Sequence, residues 1–195
     1  METIILATHN QKKCAELARI LAPLGFAVQT AAEAGFDLPE VDETGATFAE
    51  NARLKAESAH AATGMIAVAD DSGLMVDALN GAPGVYSARW AGPDATDADR
   101  CAKLLREMQN VPDGRRGAKF VSAICCLFPD GRAIEVQGEC PGTIAHEQRG
   151  TGGFGYDPLF LVGDQTYGEL SDAEKDAISH RGRALRALRD ALLKK

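Results

Sequence analysis

Asp70 and Asp71, followed by Ser72-Gly73, stand directly after the apolar run Met65–Ala69. Two adjacent carboxylates at a strand end are costly unless a cation or hydrogen-bond donors offset them, and oxygen ligands are what Mg²⁺ prefers. Strand neighbours point to opposite faces, so one of the two acids is expected to aim into a cleft. An ordinary Asp-Ser-Gly turn accounts for the same residues. Glu40, Asp42 and Glu43 form a distant acidic cluster that either completes a metal shell or is a solvated loop.

Three further segments have chemistry-bearing spacing. Thr8-His9-Asn10-Gln11-Lys12-Lys13 lies between an apolar strand and a helix, where unpaired backbone amides and a lysine suit a phosphate. A capped helix with solvated lysines fits it equally well. In Arg149–Pro158, Gly150, Gly152 and Gly155 satisfy G-x-G-x-x-G, yet Pro158 and the run Leu159–Val162 predict an extended continuation, not the helix a dinucleotide fingerprint needs. What remains is a glycine loop carrying Phe154 and Tyr156 beside Asp157, a platform for stacking a base, or a tight loop with its rings turned into the core. Lys175, His180 and Arg181 cluster within about two helical turns ahead of Gly182. These, like Lys55, also read as solvated helix charges. Cys125 and Cys126 sit in a hydrophobic strand without an obvious base and read as core.

The elements that must position these residues follow from periodicity. Thr3–Ala7 reads as a strand, and Leu17, Ile20, Leu21 and Leu24 recur at helical spacing. Phe26–Thr30 reads as a second strand, and Ala34–Gly45, acidic and aperiodic around Pro39, as a loop. Thr47-Phe-Ala-Glu50 has the capping-box pattern and opens a helix to about Thr63. Met65–Ala69 is strand-like, with Asp70–Gly73 interrupting it, and Asn80–Pro93 is a long Gly/Pro-rich surface loop. Thr96–Asp99 starts a helix with Leu104, Leu105 and Met108 inward. Lys119–Phe128 and Ala133–Cys140 flank the turn Pro129–Arg132 as a hairpin. Ser171–Glu174 caps a last helical stretch, which Leu185, Leu188 and Leu192 continue. Strands interleaved with helices plus a hairpin predict an α/β domain with a mixed sheet.

Composition sets the outer limits. The chain has 195 residues, 45% hydrophobic and 25% charged, ordinary for one globular domain with a real core. Met1-Glu2-Thr3 carries no basic leader, and no uncharged stretch, Ala61–Ala69 included, is long enough for a membrane span. The five cysteines show no C-x-x-C spacing, which suits a reducing cytoplasm. The formal charge of −7 argues against general nucleic-acid binding, yet allows a small anionic ligand that brings its own metal.

Taken together, the segments resemble the inosine/xanthosine triphosphate pyrophosphatase family. The resemblance spans nearly the whole chain. It rests on Ala7–Lys13, on Glu43-Thr44-Gly45 with Glu50-Asn51-Ala52 and Leu54-Lys55-Ala56, and on Ala69–Leu74. Gly81–Arg89, Gly152–Pro158, and Glu174-Lys175 with Ser179–Gly182 complete it. His9 stands where the family usually has a small Gly.

The resemblance implies an inosine triphosphatase-like fold, a single domain over residues 1–195 with two lobes around a central nucleotide cleft, and a cytoplasmic homodimer. It implies Mg²⁺-dependent hydrolysis of ITP, dITP and XTP to monophosphate and pyrophosphate. Thr8, His9, Asn10, Gln11, Lys12 and Lys13 with Lys55 would hold the triphosphate. Asp71 would bind Mg²⁺ and help activate water, with Glu43 as second ligand, and Ser72 would touch substrate. Phe154, Gly155, Tyr156, Asp157, Lys175, His180 and Arg181 would surround the base and ribose. Donors facing the purine six-position accept a 6-oxo group and reject the amino group of adenine. The rival readings are a pyrophosphatase for another modified nucleotide, a silent nucleotide-binding module and, third, an NAD-dependent oxidoreductase.

Overall fold

The computed structural model of the protein describes residues 3–194. The leader expectation, which falls partly on Met1 and Glu2, lies outside the described residues, as does the side chain of Leu24 in the first apolar stripe. In chain order the elements are β1 (Thr3–Leu6), α1 (Gln11–Leu21), β2 (Ala27–Thr30), α2 (Phe48–Thr63), β3 (Ile66–Val76), α3 (Asp97–Glu107), β4 (Gly117–Leu127), β5 (Ala133–Ile144), β6 (Phe160–Val162), β7 (Gln165–Thr166), α4 (Asp172–Ile178) and α5 (His180–Leu192). They build a mixed α/β fold whose seven-stranded sheet runs β2-β1-β3-β4-β5-β6-β7.

Local chemistry explains where the helices begin. Thr47 accepts a hydrogen bond from the Glu50 amide while the Glu50 carboxylate reaches back, and Thr96 with Asp99 and Ser171 with Glu174 repeat this reciprocal cap. Gly64, at φ 67°, closes α2 in the left-handed conformation.

The chain divides into two compact units. The first holds the described residues up to Asp71, Ser122–Gly138 and everything from Arg181 on; the second holds Ser72–Val121 and Glu139–His180. In the first, β1 pairs in parallel with β2 (Ile5 opposite Gln29) and with β3 (Ile5 opposite Ala67). Its core gathers Ile4, Leu6, Leu17, Leu21, Ile66, Val68, Ile124, Leu185 and Leu188. In the second, β6 runs antiparallel to β5 and β7, and the core gathers Leu74, Leu104, Met108, Phe120, Tyr156, Phe160 and Tyr167.

Two expectations are corrected. The strand at Met65–Ala69 is not interrupted by Asp70–Gly73 but runs on to Val76. Alternation along the strand sends the two carboxylates to opposite faces, each with its own cations, so neither has to leave the ladder. The helix capped by Ser171 does not continue to the C-terminus. Ser179 adopts extended angles (φ −68°, ψ 158°) and ends α4, and α5 begins separately at His180. Among the described residues, no helix is long and apolar enough to cross a membrane.

Candidate active site

In the first unit, β3 delivers both carboxylates. Asp71 is buried, and its Oδ1 accepts a hydrogen bond from Lys55 Nζ at 2.7 Å. The same ammonium donates to Glu43 Oε1 at 3.0 Å, so one cation holds a loop acid and a strand acid together. Lys55 reaches them because α2 is anchored by its cap and buries the stripe Ala52, Ala56 and Ala59. Burial pushes the Asp71 carboxyl above its ordinary range and the Glu43 charge adds to this, while Lys55 opposes. Burial also works against the charge on Lys55, but the acids outweigh it and hold the lysine's pKa up.

On the other face of β3, Asp70 is almost fully buried. Its Oδ1 accepts from Ser122 Oγ at 2.5 Å, and its Oδ2 meets Lys13 Nζ at 2.9 Å and Arg181 Nη2 at 3.2 Å. Arg181 also pairs with Glu16. Burial of Asp70 is opposed and outweighed by Arg181 and Lys13, which hold its carboxyl well below the carboxylate range. The structure thus places Arg181 in a buried ion network of the first unit, with Lys13.

At the start of α1, Asn10 is the N-cap. Its Oδ1 accepts from the amides of Lys12 at 3.0 Å and Lys13 at 3.2 Å, while Thr8 Oγ1 accepts from the Asn10 amide at 3.2 Å. His9, Gln11 and Lys12 are exposed around this turn.

In the second unit, Asp157 organises the glycine loop. Its Oδ2 accepts from the Phe154 amide at 2.9 Å and from Lys175 Nζ at 2.8 Å. Gly153, at φ 71°, leaves no room for a Cβ, which would fall 2.0 Å from that oxygen. The Lys175 ammonium stands 4.8 Å from the Phe154 ring centroid and 5.7 Å from that of Tyr167. His180 stacks on Phe120 at 4.7 Å and 11°, and Phe120 stacks on Tyr167 at 5.6 Å and 5°. Phe154 and Gly155 are half-buried, whereas Tyr156 turns into the core and its hydroxyl donates to the Ser87 carbonyl at 2.8 Å. Ser72 is half-buried on β3.

The first unit therefore joins Lys55, Glu43 and Asp71 in one group and Lys13, Asp70 and Arg181 in another. The second unit joins Phe154, Asp157 and Lys175, with His180 in the aromatic stack. Sequence reasoning gave no role to Glu16, Asn51, Phe120, Ser122 or Tyr167. Glu16 had a signal, since it stands one helical turn from Lys13 on α1. Phe120 and Tyr167 had none, because their neighbours come from distant segments. The five cysteines are buried and outside any disulfide, and burial pushes the Cys125 thiol up to about 11, as befits core residues.

The chain is similar to known proteins along nearly its whole length. A "dITP/XTP pyrophosphatase" of Nocardia farcinica is 54% identical over 98% of this chain and 95% of its own. The structure of a HAM1 protein from Coxiella burnetii is similar at a TM-score of 0.90 and 43% identity, with both chains covered completely. The structure of a "Nucleoside-triphosphatase / dITP/XTP pyrophosphatase" from Mycobacterium abscessus is similar at a TM-score of 0.75 and 48% identity, over 95% of this chain and 97% of that one. The Ham1 family model matches residues 4–191, and with these identities over nearly the whole length the chain belongs to the Ham1 family.

Proposed function

We propose that the protein is a pyrophosphatase that hydrolyses non-standard purine nucleoside triphosphates, ITP, dITP and XTP, to the monophosphate and pyrophosphate. The observation that carries this is the Glu43–Lys55–Asp71 group, two carboxylates gathered on one cation, with Lys13 paired to the adjacent Asp70. The names of the relatives support the substrate class.

The donor set fits Mg²⁺. Among the described residues no group of three or more His, Cys, Asp or Glu side chains that could cage a metal gathers. Mg²⁺ uses one or two carboxylates and completes its shell with water and substrate phosphates, and Glu43 and Asp71 already share a cation. They would hold the ion, which supplies polarisation of the phosphate oxygens when bound. Asp71, with its proton affinity raised, accepts the proton of the water that attacks the α-phosphorus. Lys13 and Lys55 offset charge on the triphosphate, and pyrophosphate leaves. Phe154 and Lys175 offer a ring and a charge to the purine, and His180 is a candidate donor toward a 6-oxo group, whereas adenine presents an amino group there. Cytoplasmic homodimers go with the family resemblance and with this proposal.

The test is release of pyrophosphate from ITP with Mg²⁺ by the purified protein, alongside Asp71→Asn. Wild-type release abolished by the substitution, with circular dichroism unchanged, is expected. An Asp71→Asn protein of undiminished rate would remove Asp71 from the role.

A further inference from the structure

Asn51 is completely buried on α2, and neither the ion pairs nor the proposed chemistry uses it. A buried side-chain amide must be satisfied, and where its bonds go shows what it holds. Its Oδ1 accepts from the Gly45 amide at 2.8 Å, and its Nδ2 donates to Asp71 Oδ2 at 3.4 Å. Gly45 lies two residues beyond Glu43 in an otherwise irregular segment. One side chain thus ties down the loop that brings Glu43 and touches the carboxylate that faces it. The first bond is the firm one and the second is long, so the loop is anchored and Asp71 is limited in its swing. Close packing confirms the fit. A Cβ on Gly45 would fall 2.6 Å from Asn51 Oδ1 and 2.7 Å from Glu50 Cβ. The spacing of Glu43-Thr44-Gly45 against Glu50-Asn51 is therefore a lock between a loop and the first turns of a helix.

We propose that Asn51 is a positioning residue for the reaction, one that sets the separation of Glu43 and Asp71 by anchoring Gly45. The inference rests on the function proposed above. It assigns Asn51 no contact with substrate.

Asn51→Leu removes both bonds at similar size, and Gly45→Ala breaks the same anchor from the loop side while leaving Asn51 in place. Both are expected to lower kcat for ITP about tenfold or more while KM moves less than about threefold, since outer partners of metal ligands act on the ion and the reacting atoms. Affinity for Mn²⁺ alone, measured calorimetrically without nucleotide, is expected to fall about tenfold in both, and Asn51→Leu is expected to add no further loss in an Asp71→Asn background. A purely structural role predicts losses that track thermal stability and are additive in that cycle. Additive losses, an unchanged kcat, or a KM that rises as much as kcat falls would overturn the proposal. If Asn51→Leu does not fold, Gly45→Ala decides by the same readings. Wild-type protein that turns over ITP while both variants match it overturns only the role of Asn51. Wild-type protein that neither turns over ITP nor binds Mn²⁺ overturns the function and this role together.

Discussion

At the scale of single residues, the two neighbouring aspartates have opposite electrostatic fates. Asp70 is held ionised by Lys13 and Arg181, whereas Asp71 is pushed toward protonation by burial and by Glu43. The first suits a fixed counter-charge and the second a base, which follows from their pointing to opposite faces of one strand. Arg181 is buried between Glu16 and Asp70. Replacing it with Met strands two buried acids, and breaking such a buried pair costs about 3–5 kcal/mol. Urea unfolding of Arg181→Met checks this, and a loss below about 1 kcal/mol, the level of an exposed pair, would contradict it. Lys55 was marked only by the family resemblance, whereas Asp71 could be singled out from residue type and neighbourhood. The partnership of Arg181 with Glu16 and Asp70 could not, because its members lie on α5, α1 and β3 and only the fold brings them together.

At the scale of elements, the caps carry a pH dependence with a definite sign. The hydroxyl of Thr96 and that of Ser171 hold Asp99 and Glu174 below the usual carboxylate range, and the Thr166 amide does the same for Glu169. The folded state therefore favours the ionised forms. Their stabilisation is whole above the ordinary carboxylate range and is lost as pH falls through the depressed values. The unfolding midpoint is expected to drop on acidification from about pH 5 to 3, and a double variant Asp99→Asn/Glu174→Gln to show a shallower drop. An identical acid limb in both proteins would contradict the assignment. Thr47→Ala, which removes the hydroxyl arm of the α2 cap, is expected to cost about 1 kcal/mol in chemical unfolding, and a neutral result would contradict that cap's contribution.

The caps at Thr47, Thr96 and Ser171 were legible in the sequence because each is a local pattern of hydroxyl and carboxylate three residues apart. The hairpin between β4 and β5 was legible for the same reason, its turn being written in Pro129–Arg132. Elsewhere local signals misled. Asp70–Gly73 looks like a strand breaker until cations meet its charges, and Ser171–Leu192 looks like one helix until Ser179 turns. Of the two readings of the glycine loop, a stacking platform or rings turned inward, Tyr156 follows the second: its hydroxyl meets Ser87 and its ring fills the second core.

At the scale of the whole molecule, the proposed reaction asks an acidic chain of net charge −7 to hold a polyanion. Like charges of this magnitude repel unless countered locally; lysines are gathered at Asp70 and Asp71, and the proposed divalent ion would add to them. Removing divalent ions with EDTA is expected to abolish turnover, and added Mg²⁺ to restore it. A rate indifferent to the chelator would contradict the metal's part.

The central claim is tested most directly by incubating the purified protein with ITP, XTP, GTP and ATP in parallel, with Mg²⁺, and quantifying released pyrophosphate. Rapid release from ITP and XTP, with GTP and ATP far slower, is the expected result. Equal release from all four, or none from any, would contradict the account.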